Sequence, residues 1–158
     1  MRVSVQEADF DVGAETEALA AGRPEVGAVA SFVGYVRADK LAGESAEDQA
    51  VSAMTLEHYP GMTEKSLEAI VAEAESRWSL LGVRVIHRFG RLVPGDRIVF
   101  VGVAGSHRGE AFAACEFIMD YLKTRAPFWK KEDTPEGGRW VDAREADDAA
   151  AEKWGKGA

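Results

Sequence analysis

Arg97-Ile98-Val99-Phe100-Val101-Gly102-Val103, then Ala104-Gly105-Ser106, then a helical pattern from about His107 to Thr124 that stops at Pro127: this run decides the fold class. A largely apolar, β-rich stretch without alternation predicts a central strand, because a strand covered on both faces has no polar side. Ser106 is the candidate N-cap of the long helix. Pro127 has no N–H to donate and ends it. A central strand running straight into a long helix predicts mixed α and β structure.

The pattern extends in both directions. Downstream, Phe128–Glu132, a Thr134-Pro135-Glu136-Gly137-Gly138 turn and Arg139–Val141 predict a last β-hairpin. Upstream, Val93-Pro94-Gly95-Asp96 has proline and glycine where a type II turn wants them, so Leu92 to Val103 reads as strand, turn, strand. Val83–Phe89 is β-rich. Leu67, Ile70, Val71, Ala74 and Trp78 fall on one helical face after the Pro60-Gly61-Met62-Thr63 punctuation, which predicts an amphipathic helix to about Trp78. Ser52–Tyr59 and Gly27–Val36 read as strands, Val12–Ala21 as a short helix and Met1–Glu7 as a first strand. Ala38–Gln49 is small, charged and aperiodic, the pattern of a mobile surface loop. Beyond Arg144 the chain is rich in Ala, Asp and Glu and predicts a frayed helix or disorder. No repeat or linker divides the chain. The expectation is one α+β domain over residues 1–144 with a charged tail over 145–158.

Composition narrows the function. With 158 residues, 46% hydrophobic and 29% charged, the chain can bury a core without a metal or disulfide staple. Its one cysteine, Cys115, excludes an internal disulfide framework and suits a reducing compartment. An alternating start that turns acidic at once, and no apolar run near the roughly 20 residues of a membrane span, predict a soluble cytoplasmic chain without a membrane partner. The net charge of −8 argues against general nucleic-acid binding. The charge is uneven, however. Arg84 to Arg144 carries 11 Lys and Arg against 8 Asp and Glu, and the remainder 8 against 19. A basic island on an acidic body predicts a small anionic ligand.

Two segments of that island carry candidate chemistry. A strand-to-helix junction at Gly102–Arg108 offers free N–H groups and a positive dipole end, and His107 and Arg108 would add donors there. Cations oppose the dipole at that end, which favours function; a solvated pair is the other reading. Lys123-Thr124-Arg125-Ala126-Pro127-Phe128-Trp129-Lys130-Lys131-Glu132 puts four cations and two aromatics around a proline-broken helix end. Neighbouring cations lower one another's pKa, so a lysine here can act as acid, base or nucleophile. Alternatively, cations at a helix C-terminus simply stabilise it. His107 and Lys123 lie about 24 Å apart on a straight helix at ~1.5 Å per residue. One small ligand reaches both only if two copies of the chain contribute, which predicts a homodimer. His58, His87 and His107 are too scattered for a metal motif. Cys115 falls on the apolar face with Ala111, Ile118, Met119 and Leu122 and is expected in the core.

The words Leu56-Glu57-His58-Tyr59-Pro60-Gly61-Met62, Ser106-His107-Arg108 and Lys123-Thr124-Arg125-Ala126-Pro127-Phe128-Trp129-Lys130 resemble the molybdopterin synthase catalytic (large) subunit family, from about Val26 to Trp140. The resemblance implies an α/β hammerhead fold with an added small antiparallel β subdomain. It implies sulfurtransferase activity in molybdenum cofactor biosynthesis, converting precursor Z (cyclic pyranopterin monophosphate) to molybdopterin by building its dithiolene. The sulfur would come from the C-terminal Gly-Gly thiocarboxylate of a small ubiquitin-like partner, in a heterotetramer built on a homodimer of the large subunit. No metal or organic cofactor is implied. By matched motif, Lys123 and Lys130 resemble the catalytic lysines. Tyr35, Val36 and Arg37, in a G-x-V-R segment, together with His107, Arg108, Lys131, Glu132 and Arg144, resemble substrate-binding positions. The chain departs from the family most in Ala38–Gln49 and Lys153–Ala158. A non-catalytic phosphate- or nucleotide-binding module, an RNA-binding domain stacking bases on Phe128 and Trp129, and a structural scaffold without chemistry of its own are the rival readings of the island.

Overall fold

The structure, a computed structural model, describes residues 2–38, 53–134, 137–141 and 145–155. The loop expected over Ala38–Gln49 lies, past Ala38, outside the described residues, as does Arg144. In chain order the elements are β1 (Val3–Gln6), α1 (Val12–Ala20), β2 (Ala28–Tyr35), β3 (Ala53–His58), α2 (Met62–Arg77) and β4 (Leu80–Arg88). They continue with β5 (Gly90–Leu92), β6 (Arg97–Gly105), α3 (Arg108–Arg125), β7 (Phe128–Thr134), β8 (Gly137–Val141) and α4 (Glu145–Glu152).

β6 occupies the interior position that its apolar run predicts. It pairs antiparallel with β4 on one side and β2 on the other, and β1 joins β4 in parallel, giving the order β1-β4-β6-β2. Alternation along β6 then splits its side chains between two layers. Val99, Val101 and Val103 face α2 and α3, where they pack with Leu67, Ile70, Val71, Ala114, Phe117, Ile118 and Leu122. Phe100 faces the other way, against Phe10 and Ile86. Gly102 lies under α1: a Cβ there would come within 2.6 Å of Leu19 Cδ1, so only glycine lets that helix approach. Each buried Val, Leu or Phe side chain is worth about 1.5–3 kcal/mol of transfer free energy, so this two-sided layer dominates the stability.

A second, smaller sheet runs β5-β3-β7-β8 and is antiparallel throughout. It has its own apolar cluster of Val36, Met54, Leu56 and Leu92. The expected type II turn joins the two sheets: Asp96 N donates to Val93 O at 2.9 Å, and Gly95 has φ 95°. The architecture is thus α+β with an added small antiparallel sheet.

Two local expectations change. Helix α3 begins one residue late, with His107 rather than Ser106 as N-cap and no side-chain cap bond. The reason is the length of β6: it stays paired to Gly105, Gly27 N donates to Gly105 O at 2.9 Å, and His107 is itself still extended at φ −132°, ψ 152°. Residues 145–155, expected to be a frayed helix or disordered, form a helix and a turn, and these are docked on α3. Trp154 meets Trp78 and Phe117 edge-on at 5.7 and 5.6 Å. Its indole N–H donates to Asp120 Oδ2 at 2.6 Å, and its carbonyl accepts from Arg77 at 2.8 Å. An aromatic ring with its polar atom satisfied is a strong anchor, which composition alone did not reveal.

Candidate active site

The two lysines singled out in the sequence flank a corner. Lys123 stands exposed in the last turn of α3, the chain turns through Ala126 and Pro127, and β7 then carries Lys130. The corner is tied from behind by Thr63, which is fully buried. Its hydroxyl accepts from Tyr59 N at 2.9 Å and donates to Pro127 O at 3.0 Å. Gly61, at φ 82°, supplies the left-handed turn that brings the start of α2 to this spot.

Register orders the β7 side chains. Phe128 pairs with His58, Trp129 with Glu57, Lys130 with Leu56 and Lys131 with Thr55. Directly opposed residues share a face, so Phe128 and Lys130 lie with His58 and Leu56, whereas Trp129 and Lys131 lie on the other side. Lys130 is half-buried and Trp129 is 48% exposed. The other cation of the corner, Arg125, is committed to structure. Its guanidinium sits 3.7 Å from the Tyr121 ring centroid and 3.9 Å from Glu73.

Beneath the corner is a group that sequence reasoning dismissed. His87, near the end of β4, is buried, and its ring stacks on Phe128 at 3.7 Å with 20° between planes. Its Nδ1 is 2.8 Å from Arg88 O, so that nitrogen is the one that donates. Burial pushes its pKa down to about 4; the Arg88 carbonyl opposes this, and the positive charge of Lys123 and nearby His58 add to the lowering. The imidazole is therefore neutral at physiological pH. His87 and Thr63 are the site-forming residues that sequence reasoning missed. Thr63 directly follows the Leu56–Met62 motif, and His87 draws notice in the sequence only as a histidine too far from His58 and His107 for a metal motif.

The remaining positions divide between two ends of the molecule. Tyr35 closes β2 opposite Arg97 and is exposed. Val36 is buried in the small-sheet cluster with Leu56, its N–H and C=O spent on Asp96 O and Gly95 N at 2.9 Å each. Arg37 follows it at the surface. This segment thus shares an end with Lys130. His107 and Arg108 are exposed at the opposite end of α3, about 24 Å from Lys123 at ~1.5 Å rise per residue. Glu132 pairs with Met54 and Arg139 in the ladder.

Cys115 and an open cleft stand apart from the corner. Cys115 is buried in the main core, as its helical spacing predicts, and burial pushes its thiol up to about 11. An open cleft of roughly 680 Å³ beside α1 is lined by Arg2, Glu15, Arg23, Glu75 and Arg84, away from the lysines. Arg2 is paired there with Glu75 and Glu68, and Arg84 with Glu15. Among the described residues no His, Cys, Asp and Glu cluster could hold a metal ion. No described helix is long and apolar enough to cross a membrane.

Known proteins are similar to this chain in sequence and fold. The family model described as MoaE protein matches residues 5–125. A molybdopterin synthase catalytic subunit from Ralstonia nicotianae is 61% identical over 153 residues, 97% of this chain and 84% of that one. The structure of the molybdopterin biosynthesis MoaE protein from Burkholderia ambifaria superposes with TM-score 0.81 at 57% identity, covering 98% of this chain and 97% of that one. Molybdopterin synthase from Staphylococcus aureus keeps the fold at 27% identity, with TM-score 0.77 over 88% of this chain and 96% of that one.

Proposed function

Because this chain belongs to the MoaE family, we infer that it is the catalytic subunit of a molybdopterin synthase, an enzyme that transfers sulfur in molybdopterin formation. The observation that carries the reading is the anchored corner with a lysine on either side of it. Precursor Z brings a phosphate and the sulfur donor brings a thiocarboxylate, and two anions repel. Ammonium groups fixed on one corner lower that barrier and can stabilise the oxyanion of a tetrahedral intermediate.

In this reading Lys123 orients the thiocarboxylate and polarises its carbonyl. Lys130 then acts as acid or base while sulfur adds to the side-chain carbons of the substrate. Tyr35, Val36, Arg37, Lys131, Glu132 and Arg144 belong to the substrate-binding surround, with Val36 contributing through the backbone course it fixes. His107 and Arg108 serve the site of a second copy, since α3 separates them from Lys123 of their own chain. A homodimer within a heterotetramer with the small sulfur carrier satisfies that separation. The cytoplasm is the compartment that suits a lone buried thiol.

The glycine tail of the carrier must run extended to the lysines, held partly by main-chain hydrogen bonds. Strand β7 itself is closed to such pairing, because Lys130 already has Leu56 on one side and Val141 on the other. The tail therefore pairs at a sheet edge or lies across the face of β7.

Mixing the chain with thiocarboxylated small subunit and precursor Z tests the reading. Dithiolene product is the expected result. Binding of precursor Z without product would favour a phosphate-binding module instead, and no binding at all would leave a scaffold.

A further inference from the structure

We propose that His87 is a positioning residue for the lysine corner, acting through the face of its ring on Phe128. This deepens the reading above and rests on Lys123 and Lys130 being the working pair.

The geometry is specific. Phe128 is the first residue of β7, two before Lys130 and on the same face, so whatever fixes its ring fixes the start of the strand that carries Lys130. On its ladder side Phe128 is paired with His58, whose own ring packs on Phe89 at 4.2 Å. Its ring is stacked on His87 at 3.7 Å. His87 cannot pivot freely, because its Nδ1–H is spent on the Arg88 carbonyl at 2.8 Å and the side chain is only 6% exposed. A rigid β4 therefore dictates, through two stacked rings, where β7 begins.

The charge state matters as much as the shape. The charged and titratable groups facing His87 are Lys123 from α3 and His58 from β3, and both disfavour an imidazolium. Its ladder neighbours on β1 and β6, Val5 and Val99, bring no charge. A neutral flat ring supports the corner without competing with Lys123 for an anion. A leucine would fill the space without presenting a plane, whereas a phenylalanine would keep the plane and lose only the N–H.

The test uses the assembled enzyme with thiocarboxylated small subunit and precursor Z, comparing His87→Leu, His87→Phe and Phe128→Leu with the unaltered chain. His87→Leu and Phe128→Leu are expected to lower kcat by about tenfold to hundredfold, the cost of a misplaced catalytic group, with KM for precursor Z nearly unchanged. His87→Phe is expected to regain most of that loss. Folded His87→Leu with normal kcat, or His87→Phe as slow as His87→Leu, overturns the proposal. Should His87→Leu fail to fold, Phe128→Leu decides it by the same criterion. Lys123→Ala run in parallel keeps the two readings apart: normal turnover there removes the lysine assignment, whatever the His87 variants do.

Discussion

The Thr63 hydroxyl donates to the Pro127 carbonyl at 3.0 Å, across 64 positions of sequence. The same oxygen accepts from Tyr59 N at 2.9 Å, so one buried hydroxyl satisfies two backbone groups that no strand or helix serves. Replacing it with an isosteric methyl leaves both unpaired. Thr63→Val is expected to lose about 1–3 kcal/mol, the usual cost of stranding a buried polar group, and Thr63→Ser to lose less. Urea denaturation measures this, and a Thr63→Val protein as stable as the parent would refute the bridging role.

Lys123→Ala and Lys130→Ala are each expected to fold normally and to lose turnover by at least about a hundredfold, as loss of an electrostatic or acid–base contributor does. Lys123 is exposed and Lys130 half-buried, so neither holds the core. A second measurement concerns the two-copy site. Equal amounts of His107→Ala and Lys123→Ala chains, mixed and re-assembled, should regain activity through hybrid dimers with one intact site. No recovery, or full activity in a monomer by light scattering, removes the shared-site arrangement.

Cys115 is expected to be dispensable. Buried among Val101, Ala111 and Ile118, and with its thiol pushed up to about 11, it holds almost no thiolate at neutral pH. Cys115→Ala should retain turnover, and a thiol reagent should label the native protein slowly and the guanidinium-unfolded protein at once. Fast labelling of the folded chain would contradict the burial.

Acid should weaken the fold in two stages. His87 has its pKa pushed down to about 4 in the folded protein, against about 6.5 when unfolded, so below pH 6.5 the unfolded chain takes up the extra proton. Stability therefore falls as pH drops from about 6.5 to 4, by roughly 3 kcal/mol over that window, and then levels for this group. Asp9 acts lower down. Hydrogen bonds from Arg97 hold its carboxyl below the usual range, and this stabilisation is lost as pH falls through the carboxylate region. Urea midpoints measured from pH 7 down to about 2 should show both stages of the decline, and His87→Phe should flatten its upper part. An unchanged slope in that variant would assign the decline elsewhere.

The helices, most strands and the chemistry-bearing words are legible in the residues alone. Those signals are local: an unbroken apolar run marks β6, helical spacing marks α2 and α3 and places Cys115 in the core, and Pro127 stops a helix wherever it falls. The family resemblance rests on the same kind of short, contiguous words. What each buried face lies against is settled by folding. Phe128–Glu132 reads as one strand of a hairpin, but nothing in it says that His87 lies against Phe128. Ala104-Gly105 reads as the lead into the helix, and only its pairing with Ala28 and Val29 extends β6 through it and moves the helix cap to His107. Trp154 lies in a tail read as a frayed helix or disorder, and its anchoring shows only once Trp78, Phe117 and Asp120 are found around it. Burial, stacking and proton affinity are set by partners far away in the chain, so they emerge only when folding brings those partners within a few ångströms.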